Sequence, residues 1–135
     1  MRIQEEQDRR QKEAWIRERL PQTLIELHGC LSLCIDAYKE AFGPESAEIV
    51  LSGNRIRATI REGRESFWRT RGEVLVYAVG GLPGFRVDYG GNALEVQVGV
   101  LPGDRVFYKF GEQFLTMEQL TKLVLDRVFF PKLAE

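Results

Sequence analysis

The segment RIRATIREGRESFWRTRG, residues 55–72, carries six arginines, two adjacent aromatic rings and no lysine. Arginine presents a planar fork of donors that matches phosphate and carboxylate, and aromatic rings stack on bases. Arg55, Arg57 and Arg61 recur at even spacing along a strand-like pattern, which sends their side chains to one face. Arg64, Phe67, Trp68, Arg69 and Arg71 follow on an expected loop. These eight residues are a candidate surface for an anionic ligand, a nucleic acid or a protein partner. The plainer reading is that the arginines solvate the open face of a sheet, blunt its edge and pair with Glu62, Glu65 or an acidic first helix. Two bulk features favour that reading. The chain uses 14 Arg against 5 Lys throughout, and its net charge is −1. That is too little for a strong global pull toward polyanions. The charge is unevenly spread, at −3 over residues 1–50, +3 over 51–110 and −1 over 111–135.

Catalytic and metal chemistry finds little support. His28 is the one histidine, so any Ser-His-Asp or Cys-His site would have to use it. No nucleophile elbow, zinc-protease helix or phosphate-loop pattern occurs. Leu82-Pro83-Gly84 and Leu101-Pro102-Gly103 have apparent strands on both sides, so they read as turns and not as phosphate cradles. His28 and Cys30 would diverge by about 160° on a helix, too far to share one ion. Cys30 and Cys34 share a face along an apolar stripe, where free cysteine packs as a small hydrophobe. Asp36 lies off that stripe, where solvation is the expected fate. No catalytic residue, metal or cofactor is assigned.

A further candidate is Trp15 with Ile16 and Leu20, at the end of a charged helix. If that helix runs past the sheet, these side chains need a partner, and self-association would supply one. Otherwise they cap the chain's own core. The sequence leaves both readings open.

The elements that must position these groups follow from periodicity. Residues 3–19 are charged and rich in helix formers. Ile16, Leu20, Leu24, Leu27, Leu31, Cys34/Ile35, Tyr38 and Phe42 then recur in steps of three and four. Ile25 and Leu33 add apolar surface outside that stripe. Gly43-Pro44 ends the pattern. Pro21 either opens a second helix or kinks a single one, and the unbroken phase of the stripe favours a kink. Beyond Pro44, short Val/Ile/Phe/Tyr runs alternate with glycine turns. Strands are expected near 47–51, 54–61, 73–80, 84–90, 93–101 and 104–111. The short connections favour antiparallel hairpins. Thr116 and Gln119 form a capping box for a last helix, which Pro131 stops.

The expected fold is a single α+β domain over residues 1–135. It has an N-terminal helix or kinked helix pair (a charged part over 1–19, free to project, and a buried part over 22–42), an antiparallel meander of five to six strands over 47–111, and a C-terminal helix over 116–130. The helices pack on one face of the sheet. No apolar run reaches membrane length and no signal-peptide core is present, so a cytoplasmic protein without membrane contact is expected. The favoured function is a non-catalytic interaction module of adaptor or chaperone kind, able to form a homodimer. The alternatives are an anion or nucleic-acid binder using the arginine surface, and a small-molecule enzyme with a helix–sheet pocket.

Overall fold

A computed structural model describes residues 2–64, 67–78, 84–102 and 105–129, with backbone alone at Arg2, Arg64 and Phe129. The turn residues Leu82, Pro83 and Gly103, the acidic Glu65 and the helix stop Pro131 lie outside the described residues. The elements run α1 (Arg2–Phe42), β1 (Ala47–Ser52), β2 (Arg55–Arg64), β3 (Phe67–Ala78), β4 (Gly84–Asp88), β5 (Ala93–Leu101), β6 (Arg105–Phe110), β7 (Gln113–Leu115) and α2 (Met117–Phe129). All strands belong to one antiparallel sheet, ordered β1 to β7 as in the sequence. This is the expected α+β architecture with seven strands instead of five or six.

Two differences account for the count and the lengths. β7 is three residues long, too short to show a period of two, and exists because Tyr108 and Leu115 pair across a tight turn at Gly111. β3 starts at Phe67, so Arg64, Arg69 and Arg71 are in strands and not on the expected loop. Mixed charges and aromatics hide alternation there. Pairing to β2 supplies the strand state instead, through the partners Glu62–Arg69 and Gly63–Trp68.

α1 is one helix that contains Pro21. The proline removes the donor that the carbonyl of Arg17 would have used. Pro21 is exposed, off the buried face of the helix, so the apolar stripe continues unbroken. At the far end Gly43 adopts φ 108°, and its N–H donates to the carbonyl of Lys39 at 2.8 Å. A left-handed glycine of this kind closes a helix without steric cost.

One face of the sheet is packed. Register places Leu51, Ile56, Val76, Val87 and Leu94 in one row across five strands. Ile49, Ala58 and Val74 form the next row. Against this face lie Ile16, Leu20, Leu24, Leu27, Leu31 and Ile35 of α1, with Leu120, Val124, Leu125 and Val128 of α2. α1 touches β1, β2 and β5, α2 touches β3 and β7, and the two helices touch each other. The capping box of α2 is formed in both directions: Gln119 N–H donates to Thr116 Oγ1 at 3.1 Å, and Thr116 N–H donates to Gln119 Oε1 at 2.9 Å. Phe42 departs from the expected core. It is the last residue of α1, packs its ring beside Tyr38 at 4.6 Å and stays 61% exposed.

Leu31 and Leu33 separate buried from exposed on the same helix, at 0% and 73% exposure. Leu31→Ala should cost about 2–5 kcal/mol through lost burial and a cavity. Leu33→Ala should stay within about 0.5 kcal/mol, as surface changes do. Urea unfolding of the two variants measures the contrast.

Candidate functional site

The arginine-rich segment is the outer end of the β2–β3 hairpin. β1 pairs with β2 only as far as Ile60, and β4 meets β3 only from Leu75 onward. Residues 61–64 and 67–72 therefore run on as a two-stranded ribbon. Pairing steps from Ile60–Gly72 to Arg61–Thr70, which leaves Arg71 as the extra residue of a bulge.

The arginines are distributed and do not converge on one hollow. Arg57 lies 3.7 Å from Glu73, Arg61 2.5 Å from Glu48 and Arg69 3.2 Å from Glu62. Arg55 lies over the ring of Tyr77 at 5.4 Å. Arg61 and Glu62 are consecutive in a strand and face opposite ways, so the Arg69–Glu62 pair sits on the other side of the ribbon from Arg61. The Arg64 side chain is outside the described residues. Phe67 is 84% exposed. Trp68 is half-buried, and a Cβ on Gly43 would come within 3.9 Å of its ring. The ribbon thus leans on the end of α1. A fourth ion pair, Arg86 with Glu95 at 2.8 Å, continues the outer face onto β4 and β5. Such exposed pairs contribute about 0–1 kcal/mol each.

Arg71 has no carboxylate partner among the described residues. It lines a hollow of about 400 Å³ with Arg127, Tyr89 and Asn92. Arg127 sits in the last turn of α2, where a cation meets the carbonyl end of the helix dipole. Tyr89 is engaged from the core side: its hydroxyl lies 2.9 Å from the carbonyl of Leu123 and 3.1 Å from that of Val124. Burial pushes its pKa up to about 12, against the opposing influence of Arg127. Burial likewise raises Tyr108 to about 12.

Ile16 and Leu20 are buried in the chain's own core. Trp15 is half-buried against it, with the Arg19 guanidinium 3.6 Å from its ring centroid. A groove of about 480 Å³ separates Trp15, Asp8 and Lys12 from Leu101 and Pro102 at the end of β5. Residues 3–12 are exposed throughout.

Sequence periodicity alone does not reveal a third feature. The second half of α1 and the middle of α2 leave an apolar groove of about 350 Å³, with Ala37, Ala41 and Phe42 on one wall and Leu125 on the other. Cys34 lines it and is exposed, while Cys30 is half-buried, and both thiols are free. The core position expected for Cys34 is thus corrected: the sheet lies under Leu31 and Ile35, and Cys34 points past it. Burial pushes the Cys34 thiol up, and Cys30, Asp126 and Glu118 act in the same direction, which makes it a poor nucleophile at neutral pH. The off-stripe residue Leu33, beside Ala37, was the available sequence signal. Among the described residues no group of three His, Cys, Asp or Glu side chains could hold a metal ion, and no helix is long and apolar enough to cross a membrane.

Two outcomes follow from these contacts. Arg57→Gln and Arg69→Gln should each shift stability by only a few tenths of a kcal/mol in thermal or urea unfolding, as exposed pairs do. The tyrosines act in the alkaline range. Their folded pKa values of about 12 lie above the ordinary value of 10.0, so folding favours the protonated phenols. Their contribution is complete below pH 10.0 and fades as pH rises toward about 12. Circular dichroism should show a shallower loss of stability over that window in Tyr89→Phe and Tyr108→Phe than in the parent. Comparison of the chain with protein-family models, curated protein sequences and solved structures finds no match in any of the three.

Proposed function

We propose that the chain is a non-catalytic protein-interaction module, of adaptor or chaperone kind, that docks its partner on the flank of α1 where it meets α2. The observation that carries this reading is that the groove between the helices is lined by apolar side chains and opens to solvent along Cys34, Ala37, Ala41 and Phe42. Contiguous exposed apolar surface next to charged residues is the usual mark of a docking site.

The competing readings draw less support. A polyanion site works by summing unpaired charges over a short distance, whereas Arg57, Arg61 and Arg69 each face a glutamate. An enzyme needs convergent polar groups with shifted acid–base behaviour. Here the groove between the helices is apolar, its polar groups are the Tyr38 hydroxyl and the Cys34 thiol, and the thiol is pushed away from reactivity. A cytoplasmic setting fits two free thiols, since reducing compartments preserve them.

Photo-crosslinking tests the proposal. A photoreactive side chain placed at position 41, on the wall of the groove, should give one dominant adduct in cells that naturally make the protein. Ala37→Arg, which fills the groove, should abolish that adduct. The captured protein, once purified, should bind the parent chain and not Ala37→Arg in calorimetry. Adducts that match in number and intensity those from position 95, on the outer face of the sheet, would refute the proposal.

A further inference from the structure

The hollow of about 400 Å³ that Arg71 and Arg127 line lies where β3, the β4–β5 connection and the last turn of α2 meet. It shares no lining residue with the α1–α2 groove, so its occupant is independent of the docking site proposed above. Three segments deliver its polar side chains. Arg71 is the extra residue of the β3 bulge. Alternation back from Glu73 would place it on the outer face with Arg57. A bulge bends the strand and re-aims a side chain, and Arg71 borders the hollow together with Gly72, whose Cβ position lies 3.1 Å from Val128 of α2. Arg127 comes from α2, its guanidinium carbon 5.9 Å from the Tyr89 ring centroid. Asn92 comes from the β4–β5 connection, where its backbone carbonyl accepts the Tyr89 N–H at 2.8 Å and its side chain is exposed.

The charges in this hollow do not cancel. Neither Arg71 nor Arg127 has a carboxylate within ion-pair distance among the described residues. Glu73 is the one carboxylate among the lining residues, and Arg57 faces it at 3.7 Å. The carbonyl end of α2 adds roughly half a negative charge, which opposes an anion there. Two unpaired guanidiniums outweigh it.

We propose that this hollow binds the phosphate group of a small phosphate monoester. One guanidinium fork already satisfies a planar carboxylate. A phosphate monoester is close to a dianion at neutral pH and offers three acceptor oxygens. Two forks and an amide, brought from three segments, match that charge and number of acceptors. The hollow, at about 400 Å³, falls at the small end of the range of about 300–1,000 Å³ for small-molecule pockets. It exceeds the phosphate itself, and the Tyr89 ring and Val128 give a short organic body something to lie against. A long polyanion finds no continuation, because Arg57, Arg61 and Arg69 face glutamates.

Calorimetric titration of the full chain with phenyl phosphate tests this. Binding should be saturable and should weaken as salt rises. Arg71→Gln and Arg127→Gln should each weaken it at least about tenfold, as loss of a hydrogen bond to a charged group does. Arg127→Lys keeps the charge, removes the fork and should weaken it too. Arg86→Gln removes the same charge from the outer face of the sheet and should leave binding unchanged. Circular dichroism checks that each variant is folded. Benzoate should bind at least about tenfold more weakly than phenyl phosphate, and inorganic phosphate should also bind more weakly. Amide NMR of the parent chain needs no variant: phenyl phosphate should shift the signals of Gly72, Asn92 and Val128 and leave that of Gly53 in place. Absence of saturable binding, an equal loss in Arg86→Gln, equal affinity for benzoate, or amide shifts confined to other parts of the chain would overturn the inference. Inorganic phosphate that binds as tightly as phenyl phosphate would make the free ion the ligand. A short phosphoserine peptide that binds more than about tenfold more tightly would make the ligand a partner protein's phosphate. Either result overturns the small ester.

Discussion

The structure depends on seating one narrow apolar stripe of a long helix on a sheet. α1 spans Arg2–Phe42, a length of about 60 Å at 1.5 Å per residue. Seven strands at their usual spacing cover about 30 Å. The helix therefore overhangs whatever it packs against. Leu24, Leu27, Leu31 and Ile35 are essentially inaccessible because they lie over the sheet, whereas residues 3–12 are exposed all round. The overhang sustains itself by local pairs, such as Arg10 with Glu6 at 3.1 Å, each adding a few tenths of a kcal/mol on a helix.

Once α1 is seated, the rest of the layer is constrained. α2 fills the space beside it over β3 and β7, and its tight approach is visible at Gly72, where a Cβ would lie 3.1 Å from Val128. Tyr89 ties α2 to the sheet through two backbone carbonyls. Among the described residues no helix covers the opposite face of the sheet, and there cross-strand neighbours settle their own charges, as Arg57 does with Glu73. At β5–β7 that face is aromatic. The Phe107 ring lies on Gly99, where a Cβ would come within 2.2 Å of it, and Phe114 stacks beside it at 5.3 Å. Glycine under an aromatic ring is a familiar way to fill the gap a missing side chain leaves in a sheet.

The same constraint creates the groove. Two helices on one twisted sheet touch along part of their length and diverge elsewhere. Near the end of α1 the side chains facing α2 are small, at Ala37 and Ala41, or large and exposed, at Phe42.

The sequence by itself determined the element order, the phase of the core stripe and the punctuation. Helical spacing placed Leu24, Leu27 and Leu31 inward, alternation placed Ile56 and Ile60 inward, and the Thr116–Gln119 box marked the start of α2. These are local properties, set by backbone period and by hydrogen bonds within a few residues, so a linear reading recovers them. β7 and the first half of β3 were not legible, because pairing with a neighbouring strand makes them strands, and pairing is non-local. The arginine question was equally closed to the sequence. Glu62 and Glu65 were visible nearby, but the partners of Arg57 and Arg61 are Glu73 and Glu48, brought opposite by cross-strand register. Tertiary structure alone decided that Phe42 is outside and Cys34 at the rim of a groove. An apolar side chain on the right phase is buried only if another element covers it, and Phe42 at the end of α1 is left 61% exposed.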